Sequence, residues 1–404
     1  MYKWGTERLS KIKSIKNLWY IPDLFQKHSV IIPNLFQVSK FVEKVRKLIK
    51  IKKFKIERKN NKMNNNQIVN AKSRAGAPLK TMVVGVDSGF GRVKIAYRDS
   101  SKGAIKTDNF SSSLIIGREA LDPTQTLYID EVPHDTISDE KIVDKGYITK
   151  ENDYSITNMY RALYRVYQNT KTTNFIVGLG CSLDTYKSKD AVESLKKRAL
   201  EKREIKFREH GKEEVVITIE DVIIQPETAC AIFNMSKDIN PNAINDIVDL
   251  GTLNSQIIRY QKAPDIKGAR PRNFGYANIV KKISDKFRSQ GKDFDEKTVE
   301  YFIENLDEQN KSIQKVVNDY IINEFLKETL MNELIKSSVN LDVSTLIFTG
   351  GTSARFANQI AKVFKGCKFT QNPLYASVIG MFLRTEKIYK DKLKNAVKEE
   401  EVTA

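Results

Sequence analysis

The sequence predicts an α/β protein built from two similar α/β halves on either side of a cleft, preceded by a basic N-terminal tail. From Thr81 onward, short apolar runs alternate with segments of helical periodicity. Two of the apolar runs end on an acid, Asp87 and Asp249, and each acid is followed by a glycine turn and a returning strand. A chain of 404 residues is also long enough for two or three hydrophobic cores.

In the first half, the pattern alternates strands and helices. Period-2 alternation and short apolar runs predict strands at 82–87, 91–97, 174–180, 214–219 and 222–225. Apolar spacing of three and four residues predicts helices at 154–168, 193–209 and 227–235. We expect the highly charged helix at 193–209 to present a solvated face.

The second half repeats the opening pattern of the first. Strands are predicted at 244–249, 255–260 and 345–349, a mostly helical region at 276–340, and a last helix at 375–387. No period of 20–50 residues recurs, so a solenoid is excluded.

The net charge of +18 suggests at first a protein that binds nucleic acid. Residues 1–80, however, hold 20 Lys and Arg against 4 Asp and Glu, and so carry +16 of that charge. The basic character therefore belongs to the tail and not to the α/β part.

Three interpretations of the tail stay open. Its apolar residues at helical spacing (Phe41, Val42, Val45, Leu48 and Ile49) fit a basic amphipathic helix for a membrane surface or DNA. It equally fits a poorly ordered, solvated extension. Alternatively, the true start is Met63, since Lys, Ile, Asn and Phe, which are frequent here, have AT-rich codons, as does Tyr.

Cysteine and histidine usage favours a cytoplasmic protein without a metal centre of its own. The three cysteines (Cys181, Cys230 and Cys367) are far apart and odd in number, which argues against a disulfide framework or a zinc site. His28, His134 and His210 have no partner at ligand spacing, and we expect them at the surface. No apolar stretch is long enough to span a bilayer, so no membrane association is expected.

The first glycine turn, Asp87-Ser88-Gly89-Phe90-Gly91-Arg92-Val93-Lys94, has the composition of a phosphate-binding hairpin. Gly89 and Gly91 allow the backbone to approach a phosphate closely. Lys94 on the returning strand is placed to reach a β- or γ-phosphate oxygen. Asp87 is placed to hold water in the coordination shell of Mg²⁺.

Two further turns extend the pattern. Asp249-Leu250-Gly251-Thr252 again joins a strand, an acid, a glycine and a returning strand, which suggests two half-structures facing one ligand. Residues 347–353 run from an apolar strand into Gly350-Gly351-Thr352 and then a helix. Backbone groups at such a turn can contact a nucleotide, and a helix N-terminus favours anions.

The order and spacing of these turns resemble the actin, Hsp70 and sugar-kinase superfamily over residues 81–390. Within it, the chain most resembles the ParM (StbA-like) bacterial actins that segregate plasmids. Gln225-Pro226-Glu227-Thr228-Ala229 resembles their first interdomain connection. Residues 372–380 (Asn-Pro-Leu-Tyr-Ala-Ser-Val-Ile-Gly) resemble their second connecting helix.

The resemblance implies a role for each matching residue. It assigns Asp87, Gly89, Gly91 and Lys94 to the first phosphate hairpin and Asp249, Gly251 and Thr252 to the second. Asp249 would lie near Mg²⁺ or the attacking water. Glu227 would orient that water, and Gly350, Gly351 and Thr352 would line the adenosine pocket. Arg272, Asn273 and Lys282 are weaker candidates for contacts to the base or ribose.

The resemblance also implies an activity and a domain organisation. The expected protein is an ATPase, using ATP or GTP with Mg²⁺, that forms filaments of itself and contacts plasmid DNA through a DNA-bound adaptor at a centromere. The alternatives are a non-polymerising member, such as a small-molecule kinase or chaperone-like ATPase, and a DNA-binding protein that uses the tail. We expect an extension at 1–80, a first domain at 81–245 with 373–395 returning to it, a second domain at 246–372 with a helical subdomain at 276–343, and a charged tail at 396–404.

Overall fold

The computed structural model describes residues 81–100, 102–136, 153–235 and 239–403. Residues 75–404 form one compact unit. The basic tail, with its predicted amphipathic helix at 41–49 and His28, lies outside the described residues. Within the described part of the chain, no helix is long and apolar enough to cross a membrane.

The first half is organised by a nine-stranded sheet. Its strands are β1 (Met82–Ser88), β2 (Arg92–Tyr97), β3 (Lys106–Ser111), β4 (Ile115–Ile116), β5 (Thr126–Ile129), β6 (Val132–Asp135), β7 (Asn174–Cys181), β8 (Glu204–Glu209) and β9 (Val215–Pro226). They lie in the order β3-β2-β1-β7-β9-β8-β5-β6-β4. The central strand β1 pairs antiparallel with β2 and parallel with β7.

The second half is organised by a separate six-stranded sheet. Its strands are β10 (Asn245–Leu250), β11 (Ser255–Gln261), β12 (Ala263–Pro264), β13 (Arg270–Arg272), β14 (Thr345–Thr349) and β15 (Lys368–Phe369). The order is β12-β11-β10-β14-β15, with β13 paired to β11. Strand β10 pairs antiparallel with β11 and parallel with β14, which repeats the arrangement around β1. The predicted class, two similar α/β halves, is therefore confirmed.

Helices cover both sheets. They are α1 (Asp153–Thr170), α2 (Leu183–Lys187), α3 (Lys189–Ala199), α4 (Glu227–Asn234), α5 (Tyr276–Ser289), α6 (Glu296–Glu304), α7 (Lys311–Asp319), α8 (Met331–Lys336), α9 (Gly351–Arg355), α10 (Ala357–Val363) and α11 (Ala376–Thr403). A π-helical segment, Tyr320–Leu330, joins α7 to α8. Short 3₁₀ turns occupy Pro123–Gln125 and Leu306–Glu308.

Strand β1 is buried on both faces, because a helix packs against each. Val84 on one face belongs to the cluster that contains Met159 and Leu163 of α1. Val83 on the other face packs with Phe382 of α11. A further cluster joins the two halves, since Leu183 of α2 packs with residues of the second sheet such as Ile347. The first sheet is thus the middle layer of three.

Part of the secondary-structure prediction was wrong. The helix predicted at 193–209 ends at Ala199, and residues 204–209 form β8, whose Ile205 and Phe207 alternate into the core. The two strands predicted at 214–219 and 222–225 are one strand, β9, with a register shift opposite Phe175 and Ile176. Strands β3 to β6 were not predicted. Their polar, short segments lack a clear apolar period.

Two other expectations need comment. His134 was expected at the surface, but it is 3% exposed in β6, and burial lowers the pKa of its imidazole. His210 is exposed, as expected. Helix α11 continues to Thr403, through most of the region predicted as a C-terminal tail. The domain boundaries themselves stay a prediction.

Helices α4 and α11 cross with their backbones in contact at Gly380. A β-carbon on Gly380 would overlap the carbonyl group of Cys230 in α4. The crossing excludes water, since Cys230 is fully buried, and this burial raises the pKa of its thiol to about 12. Gln225, just before α4, donates from Nε2 to the carbonyl oxygen of Met381 in α11 at 3.0 Å. The crossing therefore fixes the start of α4 relative to the first sheet.

This contact predicts that Gly380→Ala destabilises the protein. In an ordinary helix the change would add about 1 kcal/mol of stability, because alanine has the higher helix propensity. Here the overlap should outweigh that gain and lower the free energy of unfolding by about 1–3 kcal/mol. Urea unfolding measures the change. Lys387→Ala, at an exposed position of the same helix, should shift stability by less than about 0.5 kcal/mol. A Gly380→Ala protein as stable as the unsubstituted one would contradict the packing.

Candidate functional site

A cavity of about 800 Å³ lies where the two sheets face each other. It is bounded by the β1–β2 turn, the β10–β11 turn and the turn between β14 and α9. All eleven residues that the sequence assigned to the site line it: Asp87, Gly89, Gly91, Lys94, Glu227, Asp249, Gly251, Thr252, Gly350, Gly351 and Thr352. Three turns that are far apart in sequence therefore share one cavity.

The first hairpin pairs its acid with its lysine. Asp87 and Lys94 are direct partners across β1 and β2, and Lys94 Nζ lies 2.8 Å from Asp87 Oδ2. Asp87 is only 4% exposed, so its charge needs this partner. The strand ladder alone thus places a carboxylate and an ammonium group at the same edge of the cavity.

The second hairpin carries Asp249 at the end of β10. Thr228 of α4 donates its hydroxyl to Asp249 Oδ2 at 3.1 Å. The turn is also the docking point of α5, because the carbonyl oxygens of Gly251 and Thr252 accept hydrogen bonds from the Tyr276 and Ala277 amides at 3.1 and 2.9 Å. Asp249 is thereby held between the first connection and the second sheet.

The two hairpin turns touch. A β-carbon on Gly91 would lie 2.9 Å from Thr252 Oγ1, closer than side chains normally pack. Glycine at position 91 is therefore what lets the tip of the first turn reach the tip of the second. This contact closes one side of the cavity.

The third turn is tied to both of its neighbours. Thr352 donates its hydroxyl to the carbonyl oxygen of Gly251 at 2.8 Å. The Gly350 amide donates to the carbonyl oxygen of Pro373 at 3.0 Å, just before α11. Gly350 has φ of +90°, and a β-carbon there would overlap Asp249 Oδ1 and the Leu250 carbonyl. The turn therefore requires glycine for its conformation and for its space.

Glu227 reaches the cavity from the first residue of α4. It is 7% exposed, and Gly180 at the end of β7 lies behind it, since a β-carbon on Gly180 would be 2.9 Å from Glu227 Cγ. Pro226 closes β9 and stands as the N-cap residue of α4. The carboxylate is thus positioned by the junction of a strand and a helix, at the side of the cavity where Asp249 lies.

The far end of the cavity was not predicted from the sequence. It is lined by Tyr276 of α5, Glu304 of α6 and Arg355 of α9. Arg355 Nη1 lies 2.7 Å from the Tyr276 hydroxyl and 2.9 Å from Glu304 Oε1, and its guanidinium covers the tyrosine ring at 4.4 Å. Burial raises the pKa of Tyr276 to about 12. The tyrosine ring and the guanidinium plane together form a flat, partly apolar surface, with the Glu304 carboxylate at its edge.

The weaker candidates for this end were placed wrongly. Arg272, Asn273 and Lys282 do not line the cavity. Arg272 instead pairs with Glu333 at 2.8 Å and donates to the Ser337 hydroxyl. The signal that could have identified Arg355 is its place three residues after Thr352, where the short helix α9 turns it back towards the cavity.

Comparison with known protein families finds no match, and comparison with curated proteins finds none either. Solved structures do match. Ta0583, an archaeal actin homologue, superposes with a TM-score of 0.58 at 14% identity, covering 76% of this chain and 99% of that one. The Alp12 filament structure gives 0.57 at 17% identity, covering 77% and 100%. Bacillus thuringiensis ParM with ATP gives 0.57 at 11% identity, with the same coverage.

These similarities confirm the fold that the turns predicted. The superpositions cover 76–77% of this chain and 99–100% of each of these actin homologues, so they include both sheets as one arrangement. At identities of 11–17% the likeness shows the architecture alone. The chain therefore has the actin-like fold, in the form also seen in ParM structures.

The third turn generates a prediction about Gly350. Gly350→Ala should destabilise the protein by about 1–3 kcal/mol, because it adds both a left-handed strain and an overlap with the acid-bearing strand β10. Gly366→Ala is the matched control, since Gly366 has φ of +77° but open space around it. Thermal or urea unfolding compares the two. Equal losses would show that the overlap at Gly350 has no energetic weight.

Proposed function

We propose that this protein is an actin-like ATPase that polymerises when it binds nucleotide and disassembles after hydrolysis. The observation that carries the proposal is the contact between the two acid-bearing hairpins, which makes two halves of the molecule line one cavity. A ligand held by both halves stabilises their closed arrangement. Among the similar structures, Ta0583 was solved in complex with ADP, Bacillus thuringiensis ParM with ATP, and Alp12 as a filament.

The residue roles follow from the chemistry of phosphoryl transfer, which depends mainly on positioning and electrostatics. Backbone amides of the turns at Gly89, Gly91 and Thr252 would hold the phosphates. Gly251, whose own amide donates to the carbonyl oxygen of Asn254, would let the second turn approach them closely. Lys94 would exchange part of its interaction with Asp87 for a phosphate oxygen. Gly350, Gly351 and Thr352 would line the nucleoside end.

Hydrolysis would depend on two carboxylates on the second side of the phosphates. Asp249 lies beside α4 through its bond to Thr228. Glu227 at the start of that helix would accept a hydrogen bond from the attacking water and so orient it. Both roles require the crossing of α4 and α11, because that crossing fixes where α4 begins.

The carboxylates that line the cavity are of the number and kind that a magnesium ion requires. No group of three metal-ligating side chains lies together among the described residues. Mg²⁺ prefers few protein carboxylates together with water and phosphate oxygens, and Asp87 and Asp249 line the same cavity. Held through water by these two side chains, the ion would neutralise charge on the phosphates.

We further propose that the filament moves plasmid DNA in the cytoplasm through a DNA-bound adaptor protein. This part rests on the likeness to ParM structures. The described cysteines form no disulfide, which suits a reducing compartment. In this arrangement the contact with DNA is indirect.

Assembly should depend on nucleotide. We expect the purified chain to sediment, and light scattering to rise, with MgATP or MgGTP and not with MgADP. Electron microscopy of the same samples should show filaments only with triphosphate. A chain that stays monomeric at high concentration and moderate salt with both triphosphates would refute the proposal. Phosphate transfer to a sugar, without assembly, would instead identify a small-molecule kinase.

Two substitutions separate hydrolysis from assembly. Asp249→Ala should lower the rate of phosphate release by about 10²-fold or more if Asp249 positions the ion or the water. Glu227→Ala should slow turnover while its filaments persist longer than those of the unsubstituted protein. Asp293→Ala, at an exposed position away from the cavity, should change neither the rate of phosphate release nor the rate of filament disassembly. Rapid disassembly of Glu227→Ala filaments would contradict the role of Glu227.

A further inference from the structure

Arg92 has a place in the cavity that the sequence did not assign. It follows Gly91, the glycine at the contact between the two hairpins, and it begins β2. Side chains alternate along a strand, so Arg92 and Lys94 lie on the same face of β2. Arg92, Lys94 and Asn109, the partner of Lys94 on β3, all line the cavity.

The cations of the cavity differ in how their charge is balanced. Lys94 is paired with Asp87 at 2.8 Å, and Arg355 with Glu304 at 2.9 Å. Arg92, the remaining cation among the described lining residues, is hydrogen-bonded to a neutral side chain, because its Nε donates to Asn109 Oδ1. In the described part of the chain, its two Nη groups have no protein partner. Arg92 is thus the cation whose charge the described cavity leaves uncompensated.

The hydrogen bond to Asn109 also connects Arg92 to the second connection. Asn109 Nδ2 donates to the hydroxyl of Tyr375, one residue before α11 begins. Tyr375 follows Pro373, whose carbonyl holds the Gly350 turn. A chain of three polar side chains therefore runs from the first hairpin to the start of the helix that crosses α4.

The position of Arg92 selects the ligand group that it would meet. Tyr276 and Arg355 form the flat end of the cavity, in the second half, where an aromatic base fits. Arg92 lies with Lys94 and Asp87 on the first hairpin, in the first half of the molecule. A planar guanidinium with two free Nη groups suits two oxygens of one phosphate.

We propose that Arg92 is a ligand of the terminal phosphate of a bound nucleoside triphosphate, and that Asn109 and Tyr375 position it. The inference rests on the proposed nucleotide binding and adds a residue that distinguishes triphosphate from diphosphate. With the triphosphate bound, the Nη groups of Arg92 bind phosphate oxygens while Nε keeps its bond to Asn109. With the diphosphate, the bond to Asn109 remains and the phosphate contact is lost.

The test compares affinities for MgAMPPNP, a non-hydrolysable triphosphate, and MgADP by calorimetry. Arg92→Met keeps an unbranched side chain that reaches about as far as Nε and removes the charged guanidinium. It should weaken MgAMPPNP binding by about tenfold or more and MgADP binding by less than about threefold. Arg92→Lys should recover part of the MgAMPPNP affinity, because it restores the charge without the planar fork. Tyr375→Phe should give a smaller loss, again confined to MgAMPPNP.

Arg165→Met is the matched control. Arg165 pairs with Asp108, the neighbour of Asn109 on β3, and does not line this cavity. Its affinities for both nucleotides should match those of the unsubstituted protein, and unfolding temperatures should confirm that every variant folds.

The outcomes separate this inference from the proposed function. Equal losses for both nucleotides, or no loss, in Arg92→Met would overturn the role of Arg92 while leaving nucleotide binding in place. If the unsubstituted protein bound neither nucleotide, the proposed function and this inference would both fail.

Discussion

The contact between Gly91 and Thr252 is the constraint on which the site depends. The two sheets share no strand, so their edges can serve one ligand only if the hairpin tips meet. A β-carbon at position 91 would lie 2.9 Å from Thr252 Oγ1, so a larger residue there would require Thr252 or the turn to shift. The contact brings the hairpin of Asp87 and Arg92 next to the hairpin of Asp249. The close approach of the two acid-bearing turns therefore depends on glycine at position 91.

Charge is arranged around that contact in two ways. At both ends of the cavity, a cation is already balanced by a carboxylate, Lys94 by Asp87 and Arg355 by Glu304. Arg92 instead donates its hydrogen bond to the neutral side chain of Asn109. The two ion pairs hold charged groups at fixed places around the cavity before a ligand arrives. The guanidinium of Arg92, which has no such ion pair among the described residues, keeps its charge for an anionic ligand.

The sequence predicted the parts of the molecule whose signal is local. Strand β1 is a continuous apolar run and β10 has the apolar pair Ile247-Val248, and each is followed by an acid and a glycine that mark where the strand must turn, so the site at their ends could be located. Strand β8 was mistaken for helix, because its charged residues hide a two-residue alternation of Ile205 and Phe207. The flat end of the cavity could not be predicted, since Tyr276, Glu304 and Arg355 come together only when three helices pack. Arg272 was misplaced for the same reason, as its partner Glu333 lies 61 positions away in the chain.

The crossing at Gly380 has a mechanical consequence. Val378, Met381 and Phe382, which flank the glycine, are at most 1% exposed, so α11 is held against α4 and the first sheet and moves with them as one body. Helix α11 continues for 23 residues beyond Gly380, about 35 Å at the rise of an α-helix. A rotation of that body by about 10° about Gly380 would carry the far end of the helix through about 6 Å. A small rotation of the first half at the cavity is therefore a much larger displacement at Thr403.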